Sequence, residues 1–278
     1  MIVWIASYPK SGNTYLRSFL TSYYYSNDGK FNFNYLKYIR QFPNMKFSKF
    51  RALTKEEASQ NWIFNQNAFF EKKNFYLVKT HNCLYPYKGN EFTSSNESIG
   101  AIYVVRDPRN VITSLKHHYS LSYENALGYM VSETSSLLER SVDKDFSNFT
   151  YLNSWSNHYK SWKNNTKFKT LFIKYEDFQN NKEETFKNII LFINKLKKDK
   201  TPIDEKKFLN CIKSTNFSIL KNKELNEGFE ESVLSKKTGK KINFFNLGFN
   251  NRWQKILPHD IKDKINIKFK EEINELEY

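Results

Sequence analysis

The first fifteen residues constrain this chain more than any other part of it. Ile2-Val3-Trp4-Ile5-Ala6-Ser7 is an apolar run suited to a strand, Tyr8-Pro9-Lys10-Ser11-Gly12 is a turn, and Asn13-Thr14-Tyr15 opens a segment of helical spacing. Strand, tight loop and helix in that order put the first N–H groups of the helix, and the positive end of its dipole, at the edge of a sheet. The backbone N–H groups of Ser11, Gly12, Asn13 and Thr14 then converge on an anion, with the Lys10 ammonium beside them. Read alone, the segment is a phosphate loop or an ordinary strand-to-helix turn with a solvated lysine.

The loop departs from that of nucleotide hydrolases. The pattern G-x-x-x-x-G-K-[ST] laid on Gly12-Asn13-Thr14 puts Ser7 at the first glycine and Asn13 at the lysine. The lysine stands instead at position 10, and no apolar strand is followed by an obvious magnesium-binding aspartate. ATP hydrolysis is therefore not expected.

Three further segments share the character of the first, each closing an apolar run. Phe75-Tyr76-Leu77-Val78 leads into Lys79-Thr80-His81; Ala101-Ile102-Tyr103-Val104-Val105 leads into Arg106, with Ser114 eight residues on; Thr170-Leu171-Phe172-Ile173-Lys174 leads into Tyr175-Glu176-Asp177. With the Tyr8–Tyr15 loop, this ordered set resembles the cytosolic-type sulfotransferases, which use 3′-phosphoadenosine 5′-phosphosulfate (PAPS). The resemblance implies that the loop from Lys10 to Tyr15 holds the 5′-phosphosulfate and that Arg106 and Ser114 clamp the 3′-phosphate. It also implies that Tyr175 lies near the adenine; Tyr15 is either core or a second adenine contact. It thins near the C-terminus, where the family pattern R-K-G-x-x-G-x-W falls on Asn246, Leu247, Gly248, Asn251 and Trp253. Gly248 takes the first glycine but the basic pair is missing, and Lys236, Lys237, Lys240, Lys241 or Arg252 could supply its charge.

Sulfuryl transfer requires that charge on the leaving phosphate be neutralised and a proton be taken from the acceptor. Lys10 would contact the leaving oxygen and Lys79 the sulfuryl oxygens or the same phosphate. His81 would be the general base, since an imidazole of pKa about 6.5 is largely neutral at working pH. No metal is expected, because two ammonium groups and backbone dipoles do its work. Each assignment has a plainer counterpart: a surface lysine at 10, a strand-capping histidine at 81, an Arg106–Asp107 ion pair, inert helix-surface histidines at 117 and 118.

A length of 278 residues suits one sulfotransferase-like domain over 1–278. The net charge of +15 would draw anionic ligands, yet the lysines are scattered and no zinc-finger or single-strand-binding motif appears, so nucleic acid is not expected as a partner. A small-molecule or glycan acceptor is. Cys83 and Cys211 are far apart and outside any metal-ligand spacing, which points to reduced thiols. No run approaches the ~20 apolar residues of a membrane span, and the expectation is a soluble cytoplasmic enzyme.

Apolar runs at 2–6, 75–79, 101–105 and 170–174 alternate with helical spacing, which predicts an α/β three-layer sandwich around a parallel sheet, with P-loop-NTPase-like topology. Helices are predicted at 13–25, 55–70, 108–120, 122–140, 149–165, 182–197, 204–213 and 258–276. Residues 26–54 and 82–98 are candidates for the acceptor pocket, and 222–248 for a mobile cover. A nucleotide or small-molecule kinase shares this layout, and a non-enzymatic basic module binding nucleic acid or anionic polymer is the remaining alternative.

Overall fold

The computed structural model describes residues 1–138, 144–235 and 238–278. Its centre is a parallel sheet of four strands: β1 (Ile2–Ser7), β2 (Tyr76–Thr80), β3 (Ser98–Val105) and β4 (Lys169–Lys174). They lie in the order β2-β1-β3-β4, so the two strands that follow β1 in sequence sit on opposite sides of it. That reversal opens a crevice beyond the carboxyl ends of the strands, where ligands of open α/β sheets bind.

The alternation along each strand explains the layers. In β1, Ile2, Trp4 and Ala6 enter one core and Val3 and Ile5 the other; in β3, Ala101, Tyr103 and Val105 part likewise from Ile102 and Val104. A sheet buried on both faces must carry helices on both. One face is covered by α1 (Asn13–Tyr25), α4 (Lys182–Lys197) and α5 (Glu205–Ser214); the other by α2 (Pro108–Tyr119), α3 (Trp155–Lys163) and the helical turns after His259. The result is the predicted three-layer α/β fold of P-loop-NTPase type.

Several helix predictions are corrected. Residues 55–70 form two helices that meet at Asn61, and 258–276 two that meet at Phe269. The helix expected at 122–140 ends at Val131; Ser136–Leu137 then pairs with Thr150–Tyr151, and the end of that prediction falls outside the described residues. The same pairing takes the first turn of the helix expected at 149–165, and α3 starts only after Ser154, whose side chain caps it by accepting from the Asn157 N–H. The stretch 222–248, expected as a mobile cover, begins inside a helix, Phe217–Glu227 (α6), and goes on to a short hairpin of Val233–Leu234 with Lys241–Ile242. Cys83 and Cys211 are buried and unpaired. Among the described residues, no helix is long and apolar enough to cross a membrane.

Candidate active site

Of the residues assigned from the sequence to catalysis or donor binding, all but Ser11 line one cavity of about 450 Å³ at the carboxyl ends of the strands. Ser11 sits behind the loop, fully buried, with a hydroxyl that has no hydrogen-bond partner. The loop itself turns through two left-handed residues, Lys10 (φ 67°) and Gly12 (φ 103°). A Cβ on Gly12 would run into the Tyr175 ring, so both conformation and space demand glycine. Gly12 caps α1 without a side-chain hydrogen bond, which leaves the first N–H groups of the helix for a guest. The Asn13 side chain turns back instead, donating to the Ile5 carbonyl at 2.9 Å and the Ser7 hydroxyl at 3.3 Å, and pins the loop to β1.

Lys10 is half-buried, but its Nζ is enclosed, 3.7 Å above the centre of the Phe244 ring and without a hydrogen-bond partner. Burial lowers its pKa to about 7; Lys79 and Arg106 push the same way, against the pull of Glu231. Nothing in the sequence pointed to Glu231. Its carboxylate accepts from the Thr14 hydroxyl at 2.7 Å, from Arg17 at 2.8 Å and from Lys79 at 3.1 Å. Burial works against its charge, but Lys79 and Arg17 prevail and hold the carboxyl far below the usual carboxylate range. An acidic side chain thus rests on Thr14 and Lys79, two donors predicted for an anionic ligand.

His81 closes β2. Its Nδ1 lies 2.7 Å from the Ser7 carbonyl, which can only accept, so Nδ1 carries the proton and Nε2 keeps its lone pair. Burial, followed by the Lys79 ammonium, lowers its pKa to about 3. His158, from α3, fixes the backbone at this point: its Nε2 donates to the His81 carbonyl at 2.9 Å, and its Nδ1 accepts from the Tyr103 hydroxyl at 2.7 Å. This second histidine was not anticipated, because only the packing of α3 on β3 brings it to β2.

Arg106 leaves β3 as predicted and ties the site together. It donates to the Lys10 carbonyl at 3.0 Å, to the Ser114 hydroxyl at 3.3 Å and to the Gly248 carbonyl at 3.3 Å, and its guanidinium lies 4.2 Å above the Tyr175 ring. The ion pair with Asp107 does not form. Asp107 caps α2 and is bound by Arg109 through a bidentate pair at 2.8 and 2.9 Å. The Nε of Arg106 stays buried without a partner.

Near Gly248, Asn246 and Leu247 line the cavity where a basic pair was sought. Asn251, at the family's second glycine, is bonded to Ser114 (3.2 Å) and Thr113 (2.7 Å). Of the alternative cations, Arg252 lines a second cleft that shares Arg106 and Tyr175; neither Lys240 nor Lys241 lines either space, and Lys236 and Lys237 lie outside the described residues. Tyr175 stacks on Phe249 with ring centres 5.1 Å apart, and Phe217 from α6 shares this aromatic corner. Tyr15 belongs to both categories left open for it: it packs against Phe178 and also faces the cavity. Gln41, Pro43 and Asn44 come from the expected 26–54 stretch, but nothing from 82–98 reaches the cavity. That segment packs through Phe92 against Trp4 and Trp62, and its place is taken by Leu137, Leu138, Asn148 and Thr150.

The fold is shared with solved structures. A mouse sulfotransferase, SULT7A1, complexed with PAP superposes with a TM-score of 0.61 at 18% identity, over 98% of this chain and 83% of that one. A retinol dehydratase in complex with androsterone and inactive cofactor PAP gives 0.60 at 16% identity, over 98% and 80%. No curated protein sequence matches the chain. The sulfotransferase domain model matches residues 2–277, and by that measure the chain belongs to the sulfotransferase-domain family.

Proposed function

We propose that this protein transfers a sulfuryl group from PAPS to a hydroxyl or amine of its acceptor. The observation that carries this reading is the cavity itself, where a bare helix N-terminus, three cations and an imidazole with a free lone pair meet. The unpartnered polar atoms fit an anionic nucleotide: Lys10 Nζ and Arg106 Nε are buried and unsatisfied, a condition that costs energy until a guest supplies acceptors. The PAP-bound neighbours carry the same nucleotide product.

In this reading the α1 N-terminus, Gly12, Asn13 and Thr14 bind the 5′-phosphosulfate, Arg106 and Ser114 take the 3′-phosphate, and Tyr15, Tyr175 and Gly248 border the nucleoside. Nε2 of His81 accepts the acceptor's proton as the acceptor atom bonds to sulfur. The bond between sulfur and the phosphate-side oxygen breaks, and the charge left on that oxygen is met by Lys10, with Lys79 at the sulfuryl oxygens. Positioning and fixed charge do most of the work, as in phosphoryl transfer.

Calorimetry with adenosine 3′,5′-bisphosphate in EDTA tests the donor, and transfer of label from PAPS to a mixed acceptor panel tests the reaction. Binding without metal and labelled product are expected. Binding only of ATP with magnesium would overturn the reading in favour of a kinase.

A further inference from the structure

Beyond the cationic groups, the cavity has a second set of polar walls that the donor does not account for. Gln41 and Asn44 come from the segment before Met45, His118 from the last turn of α2, and Thr150 from the strand paired with Ser136–Leu137. These are neutral side chains that both give and accept hydrogen bonds, set among the apolar Pro43, Leu137 and Leu138. Asn44 Oδ1 already accepts from the Lys46 N–H at 2.9 Å, and the Thr150 hydroxyl donates to the Asn148 carbonyl at 3.4 Å. The two adjacent histidines of α2 behave differently. His117 Nε2 sits 3.3 Å from the Asn243 carbonyl, whereas His118 is 7% exposed and its Nδ1 is buried without a partner.

The His118 ring is held edge-on by Tyr119, at 4.8 Å between ring centres, and by Phe244, at 5.6 Å, so it cannot swing out to water without breaking two aromatic contacts. Burial, then Lys10, lowers its pKa to about 3, which keeps the ring neutral. A neutral imidazole offers one donor and one acceptor, the complement of a hydroxyl; it offers no cation to a carboxylate or sulfate. A buried polar atom on a cavity wall, lacking a protein partner, is a place for a ligand atom.

Resting on the sulfotransfer reading above, we propose that the acceptor is a polyhydroxylated compound, a sugar or polyol, and that His118 binds a second hydroxyl while His81 takes the proton of the one being sulfated. A phenol or sterol would press carbon against His118 and leave its Nδ1 without a partner. Sites built to bond a hydroxyl reject analogues lacking it by orders of magnitude.

The test compares kcat and KM with PAPS for glucose, cellobiose and myo-inositol against 2-naphthol and 1-hexanol, in the unaltered protein and in His118→Phe and His118→Asn. A sugar or polyol is expected to exceed 2-naphthol in kcat/KM by at least about tenfold. His118→Phe should raise its KM about tenfold with a much smaller change in kcat, and His118→Asn, which restores a neutral donor and acceptor, should recover part of the loss. Calorimetry with adenosine 3′,5′-bisphosphate shows that both variants keep the donor site. Preference for cellobiose over glucose would identify a sugar within a chain, and the reverse a free sugar. Bisphosphate binding with 2-naphthol or 1-hexanol preferred, with no sugar or polyol turned over, or with KM unmoved in both variants, overturns the acceptor assignment and leaves the donor reading standing. Absence of bisphosphate binding overturns the donor reading, and this one falls with it.

Discussion

The two halves of the cavity solve different problems with different materials. The half proposed for the donor is built from Lys10, Lys79 and Arg106, each at or just past the carboxyl end of a strand, and its charges are already engaged: Glu231 on Lys79, Phe244 beneath Lys10, backbone carbonyls around Arg106. The half proposed for the acceptor offers neutral polar groups from Gln41, Asn44, His118 and Thr150, which lie in three separate regions of the chain. Fixed cations held on a rigid sheet edge suit a ligand of constant charge and shape. Neutral groups on loops and a helix end allow the second substrate to differ while the first stays the same. His81 stands at the boundary, held by Ser7 on the donor side and by His158 behind it.

If the halves are separable, variants should split cleanly between turnover and donor affinity. The largest effect is expected for His81→Ala, with kcat for sulfuryl transfer falling about 10²–10⁴-fold, the range of a lost general base, while the affinity for adenosine 3′,5′-bisphosphate is retained. Weakened nucleotide binding with intact turnover would break the comparison. Arg106→Ala is expected to do the reverse, loosening the bisphosphate by about 10–100-fold in calorimetry, since hydrogen bonds to charged groups contribute about 1.5–3 kcal/mol. Glu231→Gln sharpens the contrast from the opposite direction. A guest phosphate must displace this carboxylate from Thr14 and Lys79, so its removal should tighten bisphosphate binding about tenfold and lower the melting temperature of the ligand-free protein, whose buried cations lose their counter-charge. An unchanged affinity would show that Glu231 does not compete with the donor.

The smallest effect is a proton. Burial lowers the pKa of Lys10 to about 7, and a bound phosphate favours its ammonium form. Binding at pH 8 should therefore take up a proton, and affinity should fall as pH rises above about 7. Calorimetry in buffers of different ionisation enthalpy measures the uptake, and Lys10→Met should abolish it. His81, lowered to about 3, is already neutral at mild acid pH, so no loss of kcat is expected near the usual histidine pKa of about 6.5.

Much of the donor half was legible because its requirements are local. A phosphate loop needs a strand, a turn with a left-handed residue and a helix, all within a dozen positions of one another, and Gly12 satisfies both the φ and the space that Tyr175 leaves. The apolar runs before Lys79 and Arg106 were read as strands for the same reason. The acceptor half was not legible, since Gln41, His118 and Thr150 share no spacing and meet only through the packing of α2 and the Ser136–Tyr151 pairing. Glu231 was hidden for a further reason: in a basic chain, a carboxylate in a Lys- and Asn-rich stretch reads as solvated surface. α6 was missed because Phe217–Glu227 has no clean apolar stripe, and its helix is set by tertiary contacts of Phe217 and Leu220.

The sequence by itself determined the α/β alternation, the phosphate loop and the order of the cationic strand ends, because each is a short-range consequence of side-chain period and turn chemistry. Only the tertiary structure decided that Asp107 pairs with Arg109 and leaves Arg106 for the site, that His158 fixes His81, that Glu231 sits on Thr14 and Lys79, and that of the two histidines lining the cavity His117 is bonded to the Asn243 carbonyl while His118 Nδ1 has no partner. Those choices are made by electrostatics and packing between residues tens to hundreds of positions apart, and only the folded chain brings them within reach of one another.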